Sequence, residues 1–244
     1  MQRLAIDPQQ LFPPNLKLTE EQQHYLQRVL RLKSGAEFLA LPGDGSVWRC
    51  RLREGDVAEA IEQQLVTNEL PIEVTLGLAL PKGNAFDEVV RQVTELGVRH
   101  IVPLISERTL LKPSPNKVDR WQKIAIEAAE QSERGVIPTV HQPIEFRQYL
   151  LSLKADPTPE PAIAIPKMMC WGRGDSPHLA AILPGLKAYS SLILLIGPEG
   201  GWSDREVEAA IAAEFQTVSL GKRILRAVTA PVAAMAIVGA TMEQ

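Results

Sequence analysis

Apolar and polar residues are patterned differently in the first and later parts of the chain. Glu37 to Ala40, Val47 to Arg53 and Ala58 to Leu65 have the composition of short strands, and glycine-containing turns separate them. A helical pattern over Glu20 to Leu32 precedes these strands. The N-terminal part is therefore predicted to be a small β-barrel with one helix.

After residue 70 the strand and helix patterns alternate. Strand patterns cover Ile72 to Leu80 and His100 to Ile105, and helical patterns cover Phe86 to Leu96 and Val118 to Glu133. Such alternation is typical of a parallel sheet covered by helices. We therefore expect two domains, residues 1–70 and 71–244.

A glycine-rich bend follows an apolar strand near the C-terminus. Ser190 to Ile196 is the strand, and the stretch LILLIGPEGG ends at Gly201. Ser203 and Glu206 then form a capping box that predicts the start of a helix. Main-chain N–H groups at such a turn can hold a small polar ligand, although a tight structural connection explains the pattern equally well.

The stretch SLGKRILRAVTAP, residues 219–231, repeats this arrangement. A short strand, Thr217 to Leu220, ends at Gly221, and three cations, Lys222, Arg223 and Arg226, surround an apolar pair. The mixture suits a cofactor pocket beside a polyanion, and a solvated loop is the alternative. The next segment, Val232 to Ala240, is apolar on all sides, so we expect it to be buried against the sheet or a second subunit.

The overall charge does not indicate an RNA partner, because 26 Lys and Arg stand against 29 Asp and Glu. A local basic surface would have to serve that role. Its candidates are Arg28, Arg31, Lys33, Arg49, Arg51 and Arg53. The last three share one face of a predicted strand. They are equally consistent with a solvated face balanced by nearby carboxylates.

Several classes of protein are not indicated. Cys50 and Cys170 form no CxxC pair, and the four histidines lack metal-ligand spacing, so we expect neither disulfides nor a metal. No apolar run approaches the roughly 18 residues of a membrane span, and we expect a cytoplasmic protein without a membrane partner. The proline-rich stretch 156–161 is predicted to be a loop.

The two glycine blocks together resemble the cofactor-binding loops of the SPOUT methyltransferases. More narrowly, the chain resembles the E-type 16S rRNA (uracil-N3)-methyltransferases over nearly its whole length. Besides the two blocks, the matching segments are Gln2-Arg3, HYLQRVLRLKSG from His24, PKGNAFDEVVRQVTELGV from Pro81 and RWQKIAIEAAEQSERGVIP from Arg120.

This resemblance implies an α/β fold: a trefoil-knotted methyltransferase domain preceded by a PUA-like, RNA-binding β-barrel. It also implies S-adenosylmethionine as cofactor, N3 of one uridine in 16S rRNA of the small ribosomal subunit as target, and a homodimer. One departure is visible. Where many members read RILRTETA, this chain has Ala227 and Val228 in place of the usual Thr and Glu. A side-chain role at these two positions therefore does not carry over.

The resemblance also assigns residues. The cofactor-binding residues are Leu195, Ile196, Gly197, Pro198, Glu199, Gly200, Gly201, Leu220, Gly221, Ile224, Leu225 and Ala227. The RNA-binding residues are Arg28, Arg31, Lys82, Asn84, Arg108, Gln131 and Arg134, the last two expected on one helix face. We hypothesise that Arg226 stabilises negative charge on the uracil ring and that Glu95 is a candidate proton acceptor.

Two other functions remain open from the sequence. A 2′-O-ribose RNA methyltransferase of the same superfamily would have similar cofactor loops. A non-catalytic RNA-binding or ribosome-assembly protein that kept the fold is the second, and the altered residues Ala227 and Val228 are its only support.

Overall fold

The computed structural model describes residues 1–109, 113–155 and 165–244. The predicted loop at 156–161 lies outside the described residues. The chain forms two compact units: Met1–Glu69 with Ile126–Ile137, and Leu70–Ala125 with Pro138–Gln244. Residues 126–137 thus group with the N-terminal unit, which a simple division at residue 70 does not anticipate.

The N-terminal unit contains one six-stranded mixed sheet. Its strands are β1 (Arg3–Ala5), β2 (Leu11–Phe12), β3 (Asn15–Lys17), β4 (Glu37–Leu41), β5 (Val47–Leu52) and β6 (Val57–Gln64), in the order β1-β4-β5-β6-β3-β2. β1 and β4 are parallel, and the other pairs are antiparallel. The three predicted strands are confirmed. The first three strands were not predicted, since two or three residues are too few to show a period of two.

The predicted helix over residues 20–32 is only partly right. Helix α1 (Glu20–His24) begins after Thr19, whose hydroxyl caps the backbone N–H of Gln22, and the chain continues as a π-helical turn, Tyr25–Val29. The N–H of Leu30 donates to the carbonyl of Tyr25, five residues earlier. This wider turn packs Leu26 into the core of the unit and leaves Arg28 exposed.

The second unit contains a seven-stranded sheet in which every pairing is parallel, as predicted. The strands are β7 (Glu73–Ala79), β8 (His100–Ile105), β9 (Thr139–Val140), β10 (Ile144–Glu145), β11 (Lys167–Cys170), β12 (Ser191–Ile196) and β13 (Gln216–Val218). Their order is β10-β8-β7-β12-β11-β13, and β9 also pairs with β8. The strands before the two glycine blocks, β12 and β13, are therefore separated by β11.

The helices that follow along the chain are α2 (Ala85–Glu95), α3 (Pro115–Gln131), α4 (Phe146–Ala155), α5 (Leu179–Ile182), α6 (Asp204–Ala212) and α7 (Thr229–Met242). The capping box predicted from Ser203 and Glu206 is confirmed at the start of α6. Among the described residues, no helix is both long and apolar enough to cross a membrane.

Alternate residues of the central strand β12 face opposite sides of the sheet, and both sides are buried. Leu192, Leu194 and Ile196 join the apolar cluster that contains residues of α2 and α7. Ile193 and Leu195 join the second cluster, with residues of α4 and α6. Each such side chain contributes roughly 1.5–3 kcal/mol on burial, so this core fixes the edge of the sheet where the glycine loops begin.

Candidate active site

A cavity of about 160 Å³ lies in the second unit at the carboxyl ends of β11, β12 and β13. Carboxyl ends of parallel strands are where α/β sheets build their sites. Almost all the residues predicted to hold the cofactor line this cavity. They are Ile196, Gly197, Pro198, Glu199, Gly200, Gly201, Leu220, Gly221, Ile224, Leu225 and Ala227.

Leu195 is the predicted cofactor residue that does not line the cavity. It is fully buried and packs in the apolar cluster on the other face of the sheet from Ile196. The period of two along a strand explains the difference, because neighbouring residues point to opposite faces. Leu195 therefore packs behind the site, on the other face of the sheet.

The wall of the cavity that follows β11 was not predicted from the sequence. Cys170, Trp171, Gly172 and Arg173 line it, together with Trp202. The indole N–H of Trp202 donates to the carbonyl of Cys170 at 3.2 Å, which joins this wall to the first glycine loop. A four-residue strand with two methionines is too short to show a periodic signal in the sequence.

Two close geometric features explain why glycines stand at the bends. Gly221 has φ +120, which L side chains rarely adopt, so this bend after β13 requires glycine. A Cβ at Gly197 would lie 3.1 Å from the indole nitrogen of Trp202. Trp202 itself is 5% exposed and stacks obliquely on Phe146, with ring centroids 4.9 Å apart. The ring therefore has little room to move away from a larger residue at position 197.

The lining of the cavity combines apolar side chains with charges of both signs. Arg173, Glu199 and Arg223 contribute the charges. The thiol of Cys170 contributes none, since burial raises its pKa to about 12. The cavity therefore suits a ligand that has an apolar part and ionic groups of both signs, and it offers no thiolate nucleophile.

Arg226 lies between two lining residues, Leu225 and Ala227, and its side chain is exposed. Its carbonyl accepts hydrogen bonds from the N–H groups of Thr229 and Ala230 at 2.9 Å, at the start of α7. Within the described residues, its guanidinium has no recorded ion pair. The backbone of Arg226 is thus fixed beside the cavity, and its side chain is accessible to solvent.

Glu95 is not brought to the cavity. It is exposed at the end of α2, which has returned to the amino-terminal edge of the sheet. The N–H of Arg99, shortly after it, donates to the carbonyl of Val74 near the start of β7. The cavity is at the opposite edge, about 17 Å away along a six-residue strand. The geometry therefore does not support Glu95 as a proton acceptor at this cavity.

The loops after β7 and β8 approach the first glycine block. The backbone N–H of Lys82 donates to Oε1 of Glu199 at 3.0 Å. Asn84 stands before α2, and its side-chain oxygen accepts from Nζ of Lys117 at 3.4 Å. Arg108 donates from Nη1 to the carbonyls of Gly200 and Trp202, at 2.6 and 3.3 Å. Of the residues predicted to bind RNA, these three lie in the cavity-bearing unit.

The prediction for Gln131 and Arg134 needs correction. Gln131 is exposed and ends α3, so Arg134 lies beyond the helix and the two residues do not share a helix face. Arg134 is 2% exposed and makes a bidentate ion pair with Glu69, with Nη2 2.7 Å from Oε2. A side chain buried in this way is not available to RNA, and Arg134 is structural.

The basic residues of the N-terminal unit fall into two groups. Arg28 and Arg31 are exposed on and just after the π-helical turn. The strand arginines do share one face, as predicted, but cross-strand carboxylates cover them. Arg49 pairs with Glu37 and Glu62, Arg51 pairs with Glu37 and Glu59, and Arg53 pairs with Glu59. The strand face is therefore charge-balanced and is not a free basic surface.

Comparison with known proteins defines first the class and then the family. Residues 68–239 match the RNA methyltransferase domain family, and residues 18–58 match the RNA methyltransferase PUA domain family. The chain thus belongs to the class of RNA methyltransferases. In the part of the chain that the structure describes, no cluster of His, Cys, Asp or Glu is suited to hold a metal ion.

Individual relatives narrow this class. The chain is 49% identical to ribosomal RNA small subunit methyltransferase E of Synechocystis sp., over 99% of this chain and 78% of that protein. It is 32% identical to the Bacillus subtilis protein of the same name, over 92% and 90%. The Neisseria gonorrhoeae protein of that name, solved bound to S-adenosyl methionine, superposes with TM-score 0.82 at 31% identity over 97% and 95%. The chain belongs to the ribosomal RNA small subunit methyltransferase E family.

Proposed function

We propose that this protein uses S-adenosylmethionine to methylate N3 of a uridine in 16S rRNA of the small ribosomal subunit. Family membership supports the reaction and the RNA. The observation that carries the proposal is that two glycine loops line one cavity, at the carboxyl ends of β12 and β13, the two strands on either side of β11. These loops let main chain, rather than side chains, face a ligand.

The residues present fit this cofactor. When bound, S-adenosylmethionine supplies a methyl group activated on a sulfonium. Apolar Ile196, Leu220, Leu225 and Ala227 would contact its uncharged parts, and Glu199 offers a carboxylate to its cationic groups. Arg173 and Arg223 offer guanidinium groups to its carboxylate. Because main chain and Ala227 form this wall, the cavity does not need the Thr and Glu that many members have here.

The side chains of the protein would act on the uracil ring. N3 of uridine carries a proton at neutral pH, and its lone pair becomes nucleophilic as that proton leaves and negative charge spreads onto O2 and O4. The exposed guanidinium of Arg226, a residue between two that line the cavity, stabilises this charge. A preorganised donor of this kind is worth about 3 kcal/mol. Lys82, Asn84, Arg28, Arg31 and Gln131 are exposed or partly exposed residues that would contact the RNA.

The finer architecture is also part of the proposal. We infer a trefoil knot in domain 71–244, a PUA-like RNA-binding barrel in domain 1–70, and a homodimer in the cytoplasm. Helix α7 supports the dimer. Its residues Ala234, Met235 and Val238 are buried in the core, while Ala236 and Ala240 expose a second apolar face. A second copy of the chain would cover this face.

The test is the transfer of labelled methyl from S-adenosylmethionine to small ribosomal subunits that lack the modification, followed by nucleoside analysis. We expect 3-methyluridine. A 2′-O-methylated nucleoside would replace this proposal with the ribose methyltransferase alternative. Cofactor binding without any incorporation into subunits or free rRNA would contradict the proposed substrate, and absence of binding would contradict the enzyme assignment.

A further inference from the structure

Glu206 is a buried charged residue beside the cavity. It is 4% exposed, and each of its carboxylate oxygens accepts a backbone hydrogen bond. Oε2 accepts from the N–H of Ser203, and Oε1 accepts from the N–H of Glu107, both at 2.9 Å. The first bond belongs to the capping box of α6, and the second reaches the turn after β8. One carboxylate therefore ties this turn to the segment that follows the first glycine loop.

Arg108 reinforces the same connection from the neighbouring position. Its Nη1 donates to the carbonyls of Gly200 and Trp202, and both of those residues line the cavity. Its aliphatic stem lies so close to Gly200 that a Cβ there would be 3.1 Å from Cδ of Arg108. Arg108 thus bonds the cavity wall 200–202 directly, and Glu206 ties Ser203, the residue after this wall, to Glu107 of the same turn.

The other capping boxes of the chain show which part of this arrangement needs a carboxylate. At Asp7 and Thr19 the third position of the box is a glutamine, Gln10 or Gln22. A glutamine therefore suffices to close a capping box in this protein, because its single oxygen accepts the N-cap N–H. At position 206 a second acceptor is present, and in the described part of the chain its hydrogen-bond donor is the N–H of Glu107. The carboxylate is thus explained by the tie and not by the cap.

We propose that Glu206 and Arg108 are positioning residues that hold the wall 200–202 in the shape that binds S-adenosylmethionine. The inference rests on the proposed cofactor. It assigns Arg108 to the cavity wall, in place of the RNA contact predicted from the sequence. The reason is that its Nη1 donates to the carbonyls of Gly200 and Trp202. A wall fixed before binding costs no ordering when the cofactor arrives.

Two substitutions break the connection at its two ends. Glu206→Gln keeps an acceptor for Ser203 but turns an amide N–H group toward the N–H of Glu107. Arg108→Met keeps the stem against Gly200 and removes the donor. Arg108→Lys is the conservative variant that restores a donor. Ser203→Ala is the matched control, because it removes the hydroxyl cap of α6 and leaves both acceptors of Glu206 in place.

For each full-length variant, calorimetry gives the Kd of S-adenosylmethionine, and filter binding at constant salt gives the Kd of an rRNA fragment. We expect Glu206→Gln and Arg108→Met each to weaken cofactor binding about tenfold. The double variant should lose less than the product of the two, since they share one network. Arg108→Lys should recover most of the loss, and Ser203→Ala should stay within about twofold of wild type. RNA affinity should not change in any variant.

Unchanged cofactor Kd in Glu206→Gln and Arg108→Met would overturn the inference. So would an Arg108→Met variant that loses RNA affinity and keeps its cofactor Kd, which is the result expected of an RNA contact. If Glu206→Gln fails to fold, Arg108→Met still tests the inference, because Arg108 is exposed. A wild-type protein without cofactor binding would instead contradict the proposed function, so the two failures are distinguishable.

Discussion

Two groups of three arginines in this chain have opposite surroundings. One group lies along β5 and its end: Arg49, Arg51 and Arg53. The other lies at or beside the cavity: Arg173, Arg223 and Arg226. Every arginine of the first group has a carboxylate partner from a neighbouring strand. Among the described residues, none of the second group has a recorded ion pair. The register of the strands places carboxylates beside the first group and balances its charge. The loops that carry the second group leave its charges available to a ligand.

The pairing on β5 also changes how its carboxylates titrate. Hydrogen bonds from Arg51 and Arg49 hold the pKa of Glu37 below its ordinary value. The bond from Arg49 lowers the pKa of Glu62 in the same way. These carboxylates therefore stay ionised at neutral pH and keep the strand face balanced. The lesson is that three alternate arginines on a strand indicate a shared face and do not by themselves indicate an anion-binding surface.

The largest expected effect comes from the most completely paired arginine. Arg134→Met leaves the carboxylate of Glu69 without its guanidinium, although Glu69 keeps the N–H of Val136 at 3.0 Å. We expect a loss of about 3 kcal/mol in the free energy of unfolding of the N-terminal unit, measured with urea. Arg3→Met is the matched control. Its partner Glu133 is 64% exposed, so the loss should be below about 1 kcal/mol, and equal losses would contradict this ranking.

The available arginines should behave in the opposite way. Arg226→Ala should reduce kcat for methyl transfer by about 10²-fold, because it removes the donor for charge on the uracil ring. Its unfolding free energy and its cofactor Kd should match wild type. Arg51→Ala, the paired counterpart, should leave kcat within about twofold. A comparable kcat for Arg226→Ala and wild type would remove Arg226 from the mechanism.

A smaller effect sharpens the contrast inside the N-terminal unit. Arg28→Ala removes an exposed cation of the π-helical turn, and Arg49→Ala removes a paired one. We expect only Arg28→Ala to weaken RNA binding, with the slope of log Kd against log salt falling by about one. Filter binding over a salt series measures this slope. A larger change for Arg49→Ala would show that the β5 face opens to bind RNA.

The smallest expected effect is on the pH dependence of stability, which should differ between the two units. Nε2 of His141 lies 3.3 Å from Nδ1 of His100. Burial, the ring of His141 and Arg99 lower the pKa of His100, opposed by Glu73, and burial lowers the pKa of His141. Unfolded histidines titrate near 6.5, so the unfolded chain binds more protons below that pH and the second unit loses stability as the pH falls.

Glu37 gives the opposite window in the N-terminal unit. Because its folded pKa is below the ordinary 4.5, its contribution is complete above that pH and is lost only as the pH falls further. Thermal melting between about pH 8 and pH 5 should therefore show a decline for the second unit only. His141→Asn should flatten this decline, and His24→Gln, an exposed histidine of the first unit, should not. A decline of equal slope in His141→Asn would exclude the histidine pair as its cause.

The sequence predicted the long, periodic elements well, and it failed where partners far away in the chain decide the outcome. His100 to Ile105 is a strand with the predicted bounds, because its buried residues are consecutive. The strand β11 and the wall after it were missed, because four residues carry no period. The site could be predicted from the sequence mainly through its glycines, because the bend that a glycine permits depends on the local backbone. Arg134 was misassigned, because Glu69, its partner 65 residues away, is invisible to helical spacing.

The central claim is that the cavity between the two glycine loops holds the methyl donor. A crystal structure of this protein grown with S-adenosylmethionine tests it most directly. We expect the ligand to lie against the main chain of residues 197–201 and 220–227, with Trp171 and Trp202 in the surrounding wall. Well-defined ligand density outside this cavity, with the cavity itself filled only by water, would contradict the claim.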